Sequence, residues 1–290
     1  EIRPEQERRW SRGTPVDWTV DSNRLDVEFV YPGWSPVISR DYYLKSIGTS
    51  WSCNNDNGNF CTVAGLAFDS AGRLYVSDGA PFWNNDYGNH RIQVFNPDGS
   101  YLTTIGGAAG SGPLQFRAPR QLRIVDDVLY VADAGNHRVQ ILNVTNPVAP
   151  VHVGSLGVSG EHGGDNTRFN NPSGVAVSAQ HILVVDTWNN RVQVFDRATR
   201  AYVATIGGSW GDGNHQFRNP FDVAVDTHGL IYIADYDNHR VQVFSAQLQY
   251  LRTLGVTGQP YRTDGRQFNE PSAGAIAADG SGVVGDSAGT

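Results

Sequence analysis

The sequence predicts an all-β ring of four-stranded antiparallel blades, a β-propeller, and two observations carry that prediction. First, one stretch recurs. Residues 231–244 read Ile-Tyr-Ile-Ala-Asp-Tyr-Asp-Asn-His-Arg-Val-Gln-Val-Phe, and near-copies occupy 129–142, 183–195 and, split by an insertion, 74–78 with 89–95. Their arginines, Arg91, Arg138, Arg191 and Arg240, are spaced 47, 53 and 49 residues apart. A strand-rich repeat of about 40 to 50 residues is the period of propeller blades. Second, each repeat contains four strand patterns. Four strands cannot bury both their faces alone, so neighbouring repeats must stack around an axis.

Each strand has its own justification. The alternation Arg240-Val241-Gln242-Val243 has period two and marks a half-buried strand. The Asp-x-x-Asn step before it supplies residues that tolerate left-handed backbone, so it joins strands two and three as a turn. Upstream of each copy lies Phe-x-x-Pro and an alternating inner strand, at residues 169–177 and 217–225. Downstream a fourth strand ends in Ile-Gly-Gly or Leu-Gly, at residues 101–107, 201–208 and 250–255.

In chain order, residues 1–16 are charged without periodicity and read as a surface arm, and residues 17–290 form the propeller. Residues 18–29 and 42–48 are degraded copies of the later strands, so the first blade lacks a recognisable inner strand. Complete blades follow at 61–107, 116–158, 169–208 and 217–256. Residues 268–290 begin another and stop before its Asn-His-Arg step. Both ends thus carry a second strand. The expectation is six blades, with the sequence stopping short of ring closure; the alternative is five blades closed by strands from both ends.

A chain of 290 residues with 39% hydrophobic content can bury a sizeable core. The formal charge of −7 and the lack of a basic stripe exclude nucleic acid as the main partner. No run of 18 apolar residues exists, so no membrane span is expected. Cys53 and Cys61 flank a polar loop and lack the further Cys or His of a zinc site, so a disulfide is expected. Disulfides persist outside the cytosol. Asn143-Val144-Thr145 is a glycosylation sequon and fits the same compartment. With no methionine, the chain is expected to begin at a processed or excerpted position. The expected location is extracellular or at the cell surface.

Asn-His-Arg-Val-Gln-Val-Phe after a Tyr-Val-Ala-Asp strand resembles the NHL repeat, and the resemblance covers residues 17–290. It implies the propeller fold strongly and function weakly, because that ring hosts sensors, RNA-binding modules, lyases and scaffolds. The repeated pairs Asp78 with Arg91, Asp133 with Arg138, Asp186 with Arg191, and Asp235 with Arg240 are expected to tie strand ends and neighbouring blades together. His90, His137 and His239 occupy equivalent places in different blades, too far apart for one metal centre. In the amidating lyase of this fold, zinc is held by histidines that follow the proline opening an inner strand. The corresponding residues here are Arg120, Ser173, Phe221 and Ser272, none a histidine, which argues against that chemistry. Asp222 alone does not make a calcium site. No catalytic residue, metal ligand or cofactor is therefore assigned, and calcium at the Asn-rich loops is the one ion left open.

Departures from the repeat carry the individuality of the chain. The blade containing Asp78 has an eight-residue insertion that includes Phe82, Trp83 and Tyr87. Such loops share a face with the connections between blades. Trp51, Phe82, Trp83, Tyr87, Trp188, Trp210 and Tyr236 are therefore expected around one mouth of the ring, as a surface for a protein or glycan partner. The sequence reads as a non-catalytic binding or assembly module, with a subunit of an extracellular polymer as a variant. The rival is a propeller-type lyase or hydrolase with a divergent metal site near the axis.

Overall fold

The structure, a computed structural model, describes residues 20–21, 24–26, 46–47, 54–80, 85, 88–258, 268, 270–276 and 282–286. Residues 1–16 and Trp51, Cys53, Phe82, Trp83 and Tyr87 lie outside the described residues.

The described chain is all β apart from short 3-10 turns. A three-stranded sheet comes first, β1 (Val20–Asp21), β2 (Arg24–Asp26) and β3 (Ser46–Ile47). Four complete four-stranded antiparallel blades follow, numbered 2 to 5 here. Blade 2 is β4 (Val63–Phe68), β5 (Leu74–Asp78), β6 (Arg91–Phe95) and β7 (Tyr101–Gly106). Blade 3 is β8 (Pro119–Val125), β9 (Val128–Asp133), β10 (Arg138–Asn143) and β11 (Val151–Leu156). Blade 4 is β12 (Pro172–Val177), β13 (His181–Asp186), β14 (Arg191–Asp196) and β15 (Tyr202–Gly207). Blade 5 is β16 (Pro220–Val225), β17 (Ile231–Asp235), β18 (Arg240–Phe244) and β19 (Tyr250–Gly255). A two-stranded sheet, β20 (Pro271–Ile276) with β21 (Gly282–Asp286), comes last. Against the six blades expected, the described residues contain four complete ones, flanked by these sheets of three and two strands.

Inner strands β4, β8, β12, β16 and β20 follow one another around the axis, each against the next. The sheets are apolar on both faces, so the core is divided among the junctions between blades. One cluster joins Ile92 and Ile105 of blade 2 to Leu122 and Val131 of blade 3. Another joins Val139 to Val175 and Val184, and a third joins Val192 and Ile206 to Val223 and Ile233.

The Phe of Phe-x-x-Pro wedges into each junction: Phe116, Phe169 and Phe217 are all fully buried. The wedge explains the glycine that ends each fourth strand. Gly207 has φ +86°, and a Cβ there would lie 2.5 Å from the Phe217 ring. Left-handed backbone and the approaching ring both require a residue without a side chain.

Candidate functional site

The repeated Asp and Arg form one buried unit per blade. Arg Nε donates to Asp Oδ2 at 2.9 Å for Arg91–Asp78, 2.8 Å for Arg138–Asp133, and 2.7 Å for both Arg191–Asp186 and Arg240–Asp235. The other carboxylate oxygen accepts the backbone N–H of Cys61, Arg117, Asn170 or Arg218, just ahead of the inner strand. The guanidinium Nη atoms donate to carbonyls of the incoming connection, as Arg138 does to Ser111, Gly112 and Gln115. Burial raises the carboxyl pKa of Asp133, Asp186 and Asp235, opposed by the backbone donor, the Asn of the turn and the arginine. Each unit fastens the chain arriving from the preceding blade to the turn of the next, a framework role.

Blade 2 uses the Asn-rich loop for the same purpose. Arg91 donates to the carbonyls of Asn55, Asp56 and Asn59, and Asn54 Oδ1 accepts from the Asp56 N–H and the Asn59 amide. The loop that sequence offered to calcium is here a seat for a guanidinium. Cys61 at its end is buried. The insertion of blade 2 leaves and returns through a narrow neck, because a Cβ on Gly88 would fall on the Gly79 carbonyl oxygen.

The prolines opening the inner strands pair with the same aspartates, Pro119 with Asp133, Pro172 with Asp186 and Pro220 with Asp235, and the register shifts immediately after each. This bulge re-aims the next residues. It brings Arg120, Ser173 and Phe221, from three successive blades, together at one mouth of the ring. The Arg120 guanidinium carbon lies 5.9 Å from the centroid of the Phe221 ring, and Arg120 donates to Asn85 Oδ1 at 3.3 Å. Burial lowers the Arg120 pKa to about 10. Ser173 donates its hydroxyl proton to the Phe221 carbonyl and lies 2.6 Å from the Thr187 hydroxyl. Ser272, the fourth position of this set, is half-buried.

One layer deeper, Gln121 Nε2 donates to Asp222 Oδ2 at 3.0 Å. These residues belong to blades 3 and 5, which are not neighbours, so the bond bridges past blade 4. Gly174 makes room for it: a Cβ there would be 2.9 Å from Asp222 Cα. Asp222 Oδ1 also accepts the Val223 N–H, so both carboxylate oxygens are engaged. The mouth therefore has a floor of protein hydrogen bonds.

The turns between second and third strands share this face with the incoming connections, since Gly135, Trp188 and Asp237 donate their N–H groups to the carbonyls of Arg117, Asn170 and Arg218. The structure separates the described aromatic candidates. Trp188 is 47% exposed, and Trp210 is 64% exposed with its ring 4.2 Å from the Arg218 guanidinium carbon. Tyr236 is half-buried instead: its ring packs on Phe221 at 5.6 Å and its hydroxyl donates to Glu270 at 2.8 Å. Tyr236 thus shapes the wall of the mouth more than its open surface. Sequence reasoning passed over Gln121 and Glu270. The signal was positional, a polar residue beside the opening proline, but reading it required knowing which blades face each other.

Among the described residues, no three His, Cys, Asp or Glu side chains gather in metal-ligand geometry, and no helix is long and apolar enough to cross a membrane. Asn143 is exposed at the far end of β10, on the face opposite the mouth, and its Oδ1 accepts the Thr145 N–H at 3.0 Å.

The family model for the NHL repeat matches residues 60–95, 169–195 and 217–244, the segments spanning blades 2, 4 and 5. NHL repeat-containing protein 3 of Mus musculus is 31% identical over 163 residues, which are 50% of this chain and 44% of that protein. Peptidylglycine alpha-amidating monooxygenase of Rattus norvegicus is 36% identical over 108 residues, 35% of this chain and 10% of that protein. The chain thus matches less than half the length of either relative. Among solved structures, a protein of unknown function from Bacteroides thetaiotaomicron aligns with a TM-score of 0.56 at 16% identity, over 77% of this chain and 52% of that one. A chain of a nidogen/laminin complex aligns with a TM-score of 0.50 at 16% identity, over 72% of this chain and 66% of that one. At such identity these likenesses speak for the fold alone. The matched repeats and the radial four-stranded blades agree: the chain is an NHL-repeat β-propeller.

Proposed function

We propose that this propeller is a non-catalytic binding module, extracellular or at the cell surface, that holds a protein or glycan partner on the face around its mouth. The observation that carries the reading is the exposure of Trp188 and Trp210 on that face. Trp210, at 64%, is the most exposed large apolar side chain among the described residues. Flat rings in contact with solvent supply binding area at little entropic cost, and an arginine stacked on one holds it in place. By their place in the repeat, Trp51, Phe82, Trp83 and Tyr87 are expected on the same side. Gln121 and Asp222, hydrogen-bonded one layer below this face, tie blades 3 and 5 together beneath it.

The compartment rests on two further proposals, a Cys53–Cys61 disulfide and a glycan on Asn143. Peptide mapping of protein secreted from eukaryotic cells, before and after reduction and deglycosylation, is expected to find both; a free thiol at Cys61 with bare Asn143 would remove the basis for this location.

The functional test is differential capture from conditioned medium by the wild-type chain and by the double variant Trp188→Ala/Trp210→Ala. The variant is expected to keep the wild-type melting temperature and to lose a protein, or a glycan on an array, that the wild type retains. Equal retention by both would remove the aromatic face as the binding surface. Sedimentation of the wild type distinguishes self-assembly from a foreign partner. The rival reading, a lyase or hydrolase with a divergent metal site near the axis, predicts stoichiometric zinc or calcium in the purified protein.

A further inference from the structure

Every described junction between complete blades, and the one after blade 5, is closed by the same hydrogen bond from a backbone N–H to a side chain. The residue ending the turn of one blade accepts a hydrogen bond from the N–H of the residue just before the next inner strand. Ala118 donates to His90 Nδ1 at 3.0 Å, Asn171 to His137 Nδ1 at 3.1 Å, and Glu270 to His239 Nδ1 at 3.1 Å. At the junction of blades 4 and 5, Asn219 donates to Asn190 Oδ1 at 3.0 Å. Acceptor and donor residues alike have positive φ, 56° and 57° for His137 and Asn171, 54° and 47° for Asn190 and Asn219. Non-glycine residues hold such backbone only where their surroundings over-determine it.

A backbone N–H can only donate, so Nδ1 must carry its lone pair and the proton must sit on Nε2. Protonation puts a second N–H where the acceptor was. The bond is then lost, and two donors face each other. An asparagine oxygen in the same place is indifferent to pH.

We infer that the junction between blades 3 and 4 is an acid-sensitive latch set by His137, whereas the junction between blades 4 and 5, closed by Asn190, stays shut under the same conditions. Two groups on neighbouring elements face His137. His162, on the connection to blade 4, has its ring centroid 5.6 Å away, and Arg117 lies on the connection into blade 3. Burial first, then these two groups, hold the His137 pKa below its ordinary value of 6.5. The native state therefore binds fewer protons here than the unfolded chain. The latch contributes its stability above the ordinary histidine value and loses it as pH falls below that value through the native one. Asn171 is two residues from Ser173, so opening the latch loosens the mouth itself.

The experiment is backbone amide exchange at Asn171 and Asn219 as pH is lowered from neutral, corrected for intrinsic rates, in the wild type and in two reciprocal variants, His137→Asn and Asn190→His. In the wild type, protection at Asn171 is expected to fall by up to about tenfold per pH unit between the ordinary histidine value of 6.5 and the lower native His137 pKa, and to level off below it, while Asn219 stays level. His137→Asn should make Asn171 behave as Asn219 does, and Asn190→His should transfer the acid dependence to Asn219. Urea midpoints at neutral pH verify that each variant is folded, and either variant alone decides the question. Parallel pH profiles at the two amides in the wild type, or an unchanged Asn171 profile in His137→Asn, would overturn the inference.

Discussion

Replacing Arg191 by alanine is expected to destabilise the propeller by about 3–5 kcal/mol, measured as the shift in urea unfolding at neutral pH. The guanidinium side chain is 7% exposed and its carboxylate partner Asp186 is 0% exposed. Besides Asp186, it donates to the carbonyls of Gly164, Asp165 and Arg168. Truncation leaves a buried charge and three carbonyls without that donor, and removes the fastening between the incoming connection and the turn of blade 4. Arg168→Ala provides the contrast. Its pair with Asp165 is 41% and 44% exposed, and water replaces the lost contact, so little change is expected. Burial already raises the Asp186 pKa, and removing Arg191 removes an influence that lowers it. A carboxyl raised further in the native state favours folding below its unfolded pKa and loses that advantage as pH rises. The gap between variant and wild type is therefore expected to narrow in acid. A gap that is small at neutral pH, or independent of pH, would show that the pair does not hold the blade.

Phe217→Ala is expected to cost about 3–5 kcal/mol by the same measurement, because the ring fills the junction between blades 4 and 5 and leaves a cavity when removed. It packs with Phe244 at 6.3 Å between ring centroids and is fully buried. Gly207→Ala is the informative companion. Its cost has two parts, one from the backbone, with φ +86° and the Asn190 carbonyl oxygen 2.9 Å from the new Cβ, and one from collision of that Cβ with the Phe217 ring at 2.5 Å. In the Phe217→Ala background the collision disappears and the backbone part remains. The double variant should therefore be more stable than the sum of the single losses predicts. Strict additivity would mean that the wedge and the terminal glycine of each repeat are unrelated.

Much of the framework was legible because a repeated sequence states its rules several times. Alternation in Arg240-Val241-Gln242-Val243 marked a strand, and the Phe, Pro and Gly of each repeat marked its junctions. The pairing of each Asp with its Arg follows from their recurrence at the ends of adjoining strands. The mouth was less legible. Trp188, Trp210 and Tyr236 were expected together as one aromatic rim, yet two stand in solvent and the third packs against Phe221. Tyr236 holds the first place after the turn's aspartate, as buried Thr187 does in blade 4, whereas Trp188 holds the second, as exposed Asp237 does in blade 5.

What the sequence determined by itself was the local repeat: period, strand order, turn chemistry and the apolar faces that force blades to stack. These depend on residues a few positions apart, whose backbone preferences and side-chain alternation act within one sheet. Only the tertiary structure decided which side chains meet across the axis, as Gln121 and Asp222 do over a separation of 101 residues, and which nitrogen of His137 must stay unprotonated. Those contacts depend on how sheets are rotated against one another, and that rotation is set by the summed packing of every junction.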